Sequence, residues 1–184
     1  MFYEITIEDY VRVDPKYLGL PKKEAVLQAL KEEYTGKISK ELGIVIGVID
    51  VLEVGQGKII PEDGGVWFPA KFKILTFKPE IQEVVLGIVN TVTDFGAFIN
   101  IGPIDALVHI SQIMDDVVSY SKEGVLMGKN TKRVLKVGDK VRARIIAVSY
   151  KDPTNPKVAC TMRQPGLGKL EWIQEEKEKA KKKK

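Results

Sequence analysis

Two phenylalanines, Phe95 and Phe98, stand on either side of a glycine in Asp94-Phe95-Gly96-Ala97-Phe98. In a small strand-rich domain, so tight a turn does not easily bury both rings. Gly96 permits a bend, or the close approach of a base to the backbone. Exposed rings are what single-stranded nucleic acid uses: bases stack on them at roughly 1–3 kcal/mol each, while Lys and Arg hold the phosphates. Cations are at hand. Lys140, Arg142 and Arg144 alternate, so a strand projects all three from one face, and Lys157 and Arg163 flank the last strand-like run. His109 adds a third ring that stacks or hydrogen-bonds. The competing reading makes Phe95 and Phe98 core residues and His109 a packed strand histidine.

The charge pattern agrees with an anionic partner. The net charge of +4 hides a split: residues 81–121 carry five acids and no Lys or Arg, whereas 122–163 carry 11 basic and three acidic side chains. A local excess of that size implies nucleic acid, the bland alternative being a solvated basic face. Other chemistries lack their residues. A single cysteine, Cys160, excludes a disulfide framework, and with a single histidine no His-based metal cluster is available. Asp115-Asp116 reads as a solvated turn rather than a metal site. There is no paired-carboxylate scaffold, no Ser-His-Asp set and no phosphate loop, since no helix pattern follows the lone Gly55-Gln56-Gly57. The expectation is a chain with no cofactor, no metal and no active site of its own. No apolar stretch approaches 18 residues and Met1-Phe2-Tyr3-Glu4 is unlike a secretory signal, so a cytoplasmic protein without a membrane span is expected.

The elements that must position these residues fall into two domains. Over 1–80, alternation of Tyr3, Ile5, Ile7, Val11 and Val13 predicts a half-buried strand whose apolar row Asp9 interrupts, as at a bulge. Ala25, Val26, Ala29, Leu30 and Tyr34 then fall on one helical face between Pro21 and Gly36. Ile44–Val54 and Val66–Phe77 read as strands. The run Ile44 to Ile49 reads as core rather than interface, and Pro69 marks an edge or bend. One main helix with an antiparallel sheet makes an α+β, RNP-like domain. Between the two runs, residues 55–65 hold Gly55, Gly57, Lys58, Ile59, Ile60, Pro61 and Gly64. They form an exposed hairpin tip, either merely a turn or a tip that docks on a partner.

After Lys78-Pro79-Glu80, five short runs over 81–165 predict an all-β, five-stranded OB barrel: Glu83–Val92, Ala97–Ile101, Ala106–Ile110, Lys140–Ser149 and Val158–Met162. The polar stretch 111–139 reads as a long insertion, a loop that binds something or is disordered. Residues 166–184 read as a helix fading into a basic tail, its start tied down by Leu170, Trp172 and Ile173.

At this point a resemblance becomes specific. Gly87-Ile88-Val89-Asn90-Thr91-Val92-Thr93-Asp94-Phe95-Gly96-Ala97-Phe98, then Leu107-Val108-His109-Ile110-Ser111, then Gly138-Asp139-Lys140-Val141-Arg142-Ala143-Arg144-Ile145 and a closing Thr161-Met162-Arg163 resemble the OB-type RNA-binding domain named after ribosomal protein S-one. That likeness implies that Phe95, Phe98, His109, Lys157 and Arg163 face RNA, with Asp152 nearby. The strand–helix–sheet unit, the glycine-rich tip, Val108–Asp116 and Thr161–Trp172 extend the likeness to essentially the whole chain. It resembles the family of larger stalk subunits of archaeal DNA-directed RNA polymerase, the E-prime type, similar to the seventh subunit of eukaryotic RNA polymerase II. This resemblance implies a non-catalytic subunit that forms a heterodimer with a small helical stalk subunit. Its tip would insert into the polymerase core, and its barrel would catch single-stranded nascent RNA during initiation and elongation. A translation initiation factor, or a free RNA-binding module, is the alternative, although such factors open with the barrel and here it comes second.

Overall fold

The computed structural model describes residues 1–121, 124–152 and 155–182, which divide into two units, Met1–Lys78 and Pro79–Lys184. In the first unit, β1 (Phe2–Val13), β2 (Ile38–Ser39), β3 (Gly43–Val54), β4 (Lys58–Ile59) and β5 (Val66–Phe77) form an antiparallel sheet in the order β1-β5-β3-β2, with β4 on β5. One face is covered by α1 (Lys22–Tyr34), whose Ala25, Val26, Ala29, Leu30 and Tyr34 are buried as the helical spacing requires. They pack with Val11, Val13, Val45, Val51, Ala70, Phe72 and Ile74 in one cluster. Leu30 and Phe72 are fully buried, and each stabilises the unit by about 1.5–3 kcal/mol.

Three expectations for this unit need correction. Asp9 makes no bulge, because β1 pairs with β5 in unbroken register from Phe2↔Phe77 to Val13↔Val66. Its carboxylate instead accepts the Tyr34 hydroxyl at 2.7 Å, so a polar residue interrupts the row to hold a helix end. Burial and this neighbouring carboxylate push the Tyr34 phenol up. The bulges lie in β3, where the register slips between Val45/Gly47, Val48/Asp50 and Val51/Glu53. They extrude Ile46, Ile49 and Leu52 into solvent, so the aliphatic run is only partly core. Pro69 sits in the central strand β5. It is tolerated because the β3 ladder stops at Val54↔Ala70, and the Pro69 carbonyl then takes only the Gly55 N–H, at 2.8 Å.

In the second unit, β6 (Val84–Thr93), β7 (Gly96–Asn100), β8 (Asp105–His109), β12 (Lys140–Ser149) and β13 (Lys157–Thr161) close a five-stranded barrel in the order β13-β8-β7-β6-β12, with β13 pairing back on β12. The β8–β13 pair is parallel and the rest are antiparallel. Val89, Ala97, Ile99, Val108, Val141, Ile145 and Cys160 point inward and are buried. That burial pushes the Cys160 thiol up to about 12, so it is an inert core residue. The stretch 111–139 is more than a loop. It carries its own three-stranded sheet of β9 (Val118–Ser121), β10 (Val125–Gly128) and β11 (Val134–Leu135), in which Leu126 and Leu135 are buried, as are Ile113 and Met114 before it. A short β14 (Gly168–Lys169) pairs with β12 and leads into α2 (Leu170–Lys182). Trp172 and Ile173 bury the helix start, and Leu170 is half-buried. Among the described residues, no helix is long and apolar enough to cross a membrane.

Candidate nucleic-acid interface

Alternation along the barrel strands decides what faces out. The register aligns Thr91, Phe98, Leu107 and Ala159 across β6, β7, β8 and β13, and none of the four is fully buried. Phe98 is therefore on the outer surface. Phe95, in the β6–β7 turn, is 48% exposed and meets Phe98 edge to face, with ring centroids 6.0 Å apart. Neither ring belongs to the barrel core. Gly96 is needed for a different approach than a base's: a Cβ there would lie 2.3 Å from the Val108 carbonyl oxygen. The glycine lets β7 and β8 close up, which places His109 opposite it.

His109 is exposed at the end of β8. Its Nδ1 accepts the Ser111 N–H at 3.3 Å and lies 2.8 Å from the Ser111 hydroxyl. A backbone N–H only donates, so Nδ1 serves as the acceptor towards Ser111. Phe95, Phe98 and His109 thus gather around the β6–β7 turn and the end of β8. Arg163, just past β13, is exposed but engaged: its Nε and Nη2 donate to Asp115 Oδ1 at 2.9 and 2.6 Å. Lys157 opens β13 and is exposed, next in the ladder to the Val158↔Ala106 pair and so beside Asp105.

The basic trio lies on β12, where Arg144 also pairs with Thr161, two residues before Arg163. Lys140, Arg142 and Arg144 pair with Ile88, Leu86 and Val84 on the first half of β6. The rings stand at its other end, and Val84 to Thr93 spans about 30 Å of strand at 3.3 Å per residue. Arg142 also donates to the Gly166 carbonyl, at 3.4 Å.

Sequence reasoning missed one polar group on the same outer surface. Asp105 accepts Asn90 Nδ2 at 2.9 Å and Asn100 Nδ2 at 3.0 Å, and Asn90 is the extra residue of a bulge in β6. Asparagine is poor in strands, so two of them within barrel strands were the available signal. The cluster offers amides and a carboxylate, groups able to read base edges.

The tip has an anchored base. Asp63 accepts Arg12 Nη2 at 2.6 Å, Trp67 Nε1 at 2.9 Å and the Gly65 N–H at 3.0 Å, and Arg12 also pairs with Asp14. Arg12, Gly65 and Trp67 hold the Asp63 carboxyl well below the usual carboxylate range. Gly55 and Gly57 are required by close approach: a Cβ at either would lie 2.6 Å from Pro69 or from the Phe68 ring. The left-handed residue of the turn is Glu62, at φ 72°, rather than Gly64. Lys58 and Ile59 pair with Trp67 and Val66 as β4, so Ile59, 77% exposed, stands out from an ordered hairpin with Ile60 and Pro61 beside it.

Comparison with known proteins agrees with both units. Residues 8–64 match the family described as SHS2 domain found in N terminus of Rpb7p/Rpc25p/MJ0397, and residues 78–153 match the S1 RNA binding domain. The chain is 43% identical over 175 residues to the DNA-directed RNA polymerase subunit Rpo7 of Saccharolobus shibatae, covering 94% of this chain and 97% of that one. It is 40% identical to Rpo7 of Sulfolobus acidocaldarius over 99% of this chain and all of that one. To the DNA-directed RNA polymerase II subunit rpb7 of Dictyostelium discoideum it is 29% identical, over 79% of this chain and 86% of that one. These relatives do not favour the translation-factor alternative. A two-unit architecture matching both domains, with near-full-length identity of 40–43%, makes this chain a member of the Rpo7 family of DNA-directed RNA polymerase subunits.

Proposed function

We propose that this chain is a non-catalytic stalk subunit of DNA-directed RNA polymerase, acting in the cytoplasm. Residues 1–80 dock on the polymerase core through the tip at 55–65. Residues 81–165 hold single-stranded nascent RNA as it emerges, supporting initiation and elongation, and a small helical stalk subunit completes a heterodimer. The observation that carries the RNA reading is the pair Phe95 and Phe98, held edge to face outside the barrel core beside His109. Lys157 and Arg163 supply phosphate contacts close to the rings, and Asp105 with its two asparagines supplies base-edge contacts. Lys140 alone of the basic trio shares a row with that polar cluster, through Ile88 and Asn100. Arg144 pairs with Thr161 and so stands two residues from Arg163, whereas Arg142, paired with Leu86, lies farther from the rings.

The mechanism is division of labour between a docking hairpin and a stacking platform, with binding free energy and no bond chemistry. Three to five neutralised phosphates make log affinity fall with log salt at a slope of roughly −2 to −3.5 for single strands. The test is titration of a fluorescent single-stranded RNA against the full chain at several salt concentrations. A slope shallower than about −1 overturns the electrostatic part of the reading.

A further inference from the structure

The loop between β10 and β11 gathers positive charge outside the barrel. Residues 124–138 hold Lys129, Lys132, Arg133 and Lys136 and no Asp or Glu. Elsewhere such charge is answered locally: five lysines of the first unit have a carboxylate partner, as in Lys71–Glu8 and Lys73–Glu4. Within the loop, Arg133 is occupied, since it pairs with Glu176 at 2.8 Å and lies over the Trp172 ring. Lys129 and Lys132 are exposed, and among the described residues no carboxylate pairs with either.

The loop is also held in one shape. The Gly128 N–H donates to the Arg133 carbonyl at 3.0 Å, and the Lys132 N–H to the Gly128 carbonyl at 3.2 Å. Asp116 grips Asn130 and Thr131 from outside the loop, and a Cβ on Gly128 would lie 2.6 Å from the Thr131 hydroxyl. Lys132 sits in left-handed backbone, at φ 56°, which a lysine adopts only at a cost. A merely solvated loop needs no such fastening, whereas fixed cations lose little entropy when an anion arrives. Asp116 follows Asp115, which pairs with Arg163. The anchor of the loop and the partner of the platform's arginine are thus adjacent residues, with Cα atoms about 3.8 Å apart.

We infer that Lys129 and Lys132 form a second phosphate-contact site, which takes the RNA strand after it leaves the rings past Arg163. The inference rests on the RNA-holding part of the proposed function. Residues 128–133 hold no aromatic side chain, and the Asn130 amide is taken by Asp116, so the loop grips backbone and reads no base. A protein partner fits less well. The loop itself has no apolar side chain to bury, and exposed ion pairs alone contribute about 0–1 kcal/mol. RNA gains more from the same cations, through release of its condensed counterions.

The test titrates fluorescent single-stranded RNAs of about 5 and about 15 nucleotides, both within the span of one OB barrel, against the full chain over a range of salt. It compares wild type with Lys129→Gln/Lys132→Gln and with Lys31→Gln/Lys40→Gln, which removes the same charge from exposed positions of the first unit. The loop variant is expected to bind the long RNA about fivefold or more weakly, with a salt slope shallower by roughly 1.4 for two lost phosphate contacts. It should bind the short RNA within about twofold of wild type, and the first-unit variant should change neither length. The inference is overturned if the loop variant matches the first-unit variant on the long RNA, or if it weakens both lengths equally. It is overturned too if the loop variant loses a protein from native-cell pull-downs while keeping its long-RNA affinity. Failure of the RNA reading itself looks different: Phe95→Ala would then leave short-RNA affinity unchanged, while the loop variant still reports on the long RNA.

Discussion

Arg163 is clasped by Asp115, so under the proposed function an RNA phosphate has to compete with a carboxylate already in place. Exposed ion pairs of this kind are worth about 0–1 kcal/mol, which makes Asp115 a weak brake rather than a lock. Asp115→Asn is expected to tighten RNA binding up to about fivefold and to steepen the salt slope by roughly 0.7, one more phosphate contact. Unchanged affinity and slope in an anisotropy titration would show that Arg163 plays no part. The rings make a sharper prediction. Phe95→Ala and Phe98→Ala each remove one stacking surface, about 1–3 kcal/mol, so affinity should fall between roughly fivefold and 150-fold. Because both rings lie outside the core, the melting temperature should move little, and a collapse of the folded state would show that they pack rather than bind.

At the scale of elements, one carboxylate fastens the small sheet carried by the 111–139 stretch. Asp116 accepts the Val117, Asn130 and Thr131 N–H groups, the Thr131 hydroxyl and the Asn130 amide, all within 2.7–2.9 Å. Those bonds, the Thr131 N–H foremost, depress its pKa to about 2. A carboxylate depressed in the folded state adds stability above its unfolded value near 3.9, and that stability is lost as pH falls from there through about 2. Asp116→Ala should therefore speed amide exchange across residues 124–135 at neutral pH and leave β6 and β12 protected. The same difference should shrink towards pH 2, and equal exchange at pH 7 in the two proteins would refute the role. These bonds also explain what was legible. The α1 face and the five barrel strands were readable because one element's burial sets a period of 3.6 or 2. The β9–β11 sheet was not, since strands of two to four residues show no period and its fastener is a carboxylate 14 and 15 residues away from its partners. Nor were the β3 bulges, because extruding Ile46, Ile49 and Leu52 depends on register against β5. The rings and His109 were legible from their motif, whereas the Asn90–Asn100–Asp105 cluster arises only when three strands align.

For the whole molecule, the division of labour predicts that two kinds of damage separate cleanly. Each unit has its own buried cluster, Leu30 and Phe72 in one and Ile99 and Ile145 in the other, so a surface change in one need not unfold the other. Ile59 is the most exposed large apolar side chain of the described residues, and the Asp63 clamp holds its hairpin in one shape. A preorganised apolar point loses little entropy on docking, so its replacement should be costly. Ile59→Asp is expected to reduce recovery of polymerase core subunits with the tagged chain at least tenfold while leaving RNA affinity unchanged. Phe95→Ala combined with Phe98→Ala should do the reverse, keeping the core subunits and losing RNA. Asp63→Asn sits between the two: it keeps Ile59 but drops the charge that Arg12 holds, so docking should weaken by less than in Ile59→Asp, with faster amide exchange around residues 58–65. If Ile59→Asp lowers RNA affinity as much as it lowers core recovery, the two units act as one binding surface, and separate docking and RNA-holding roles have to be abandoned.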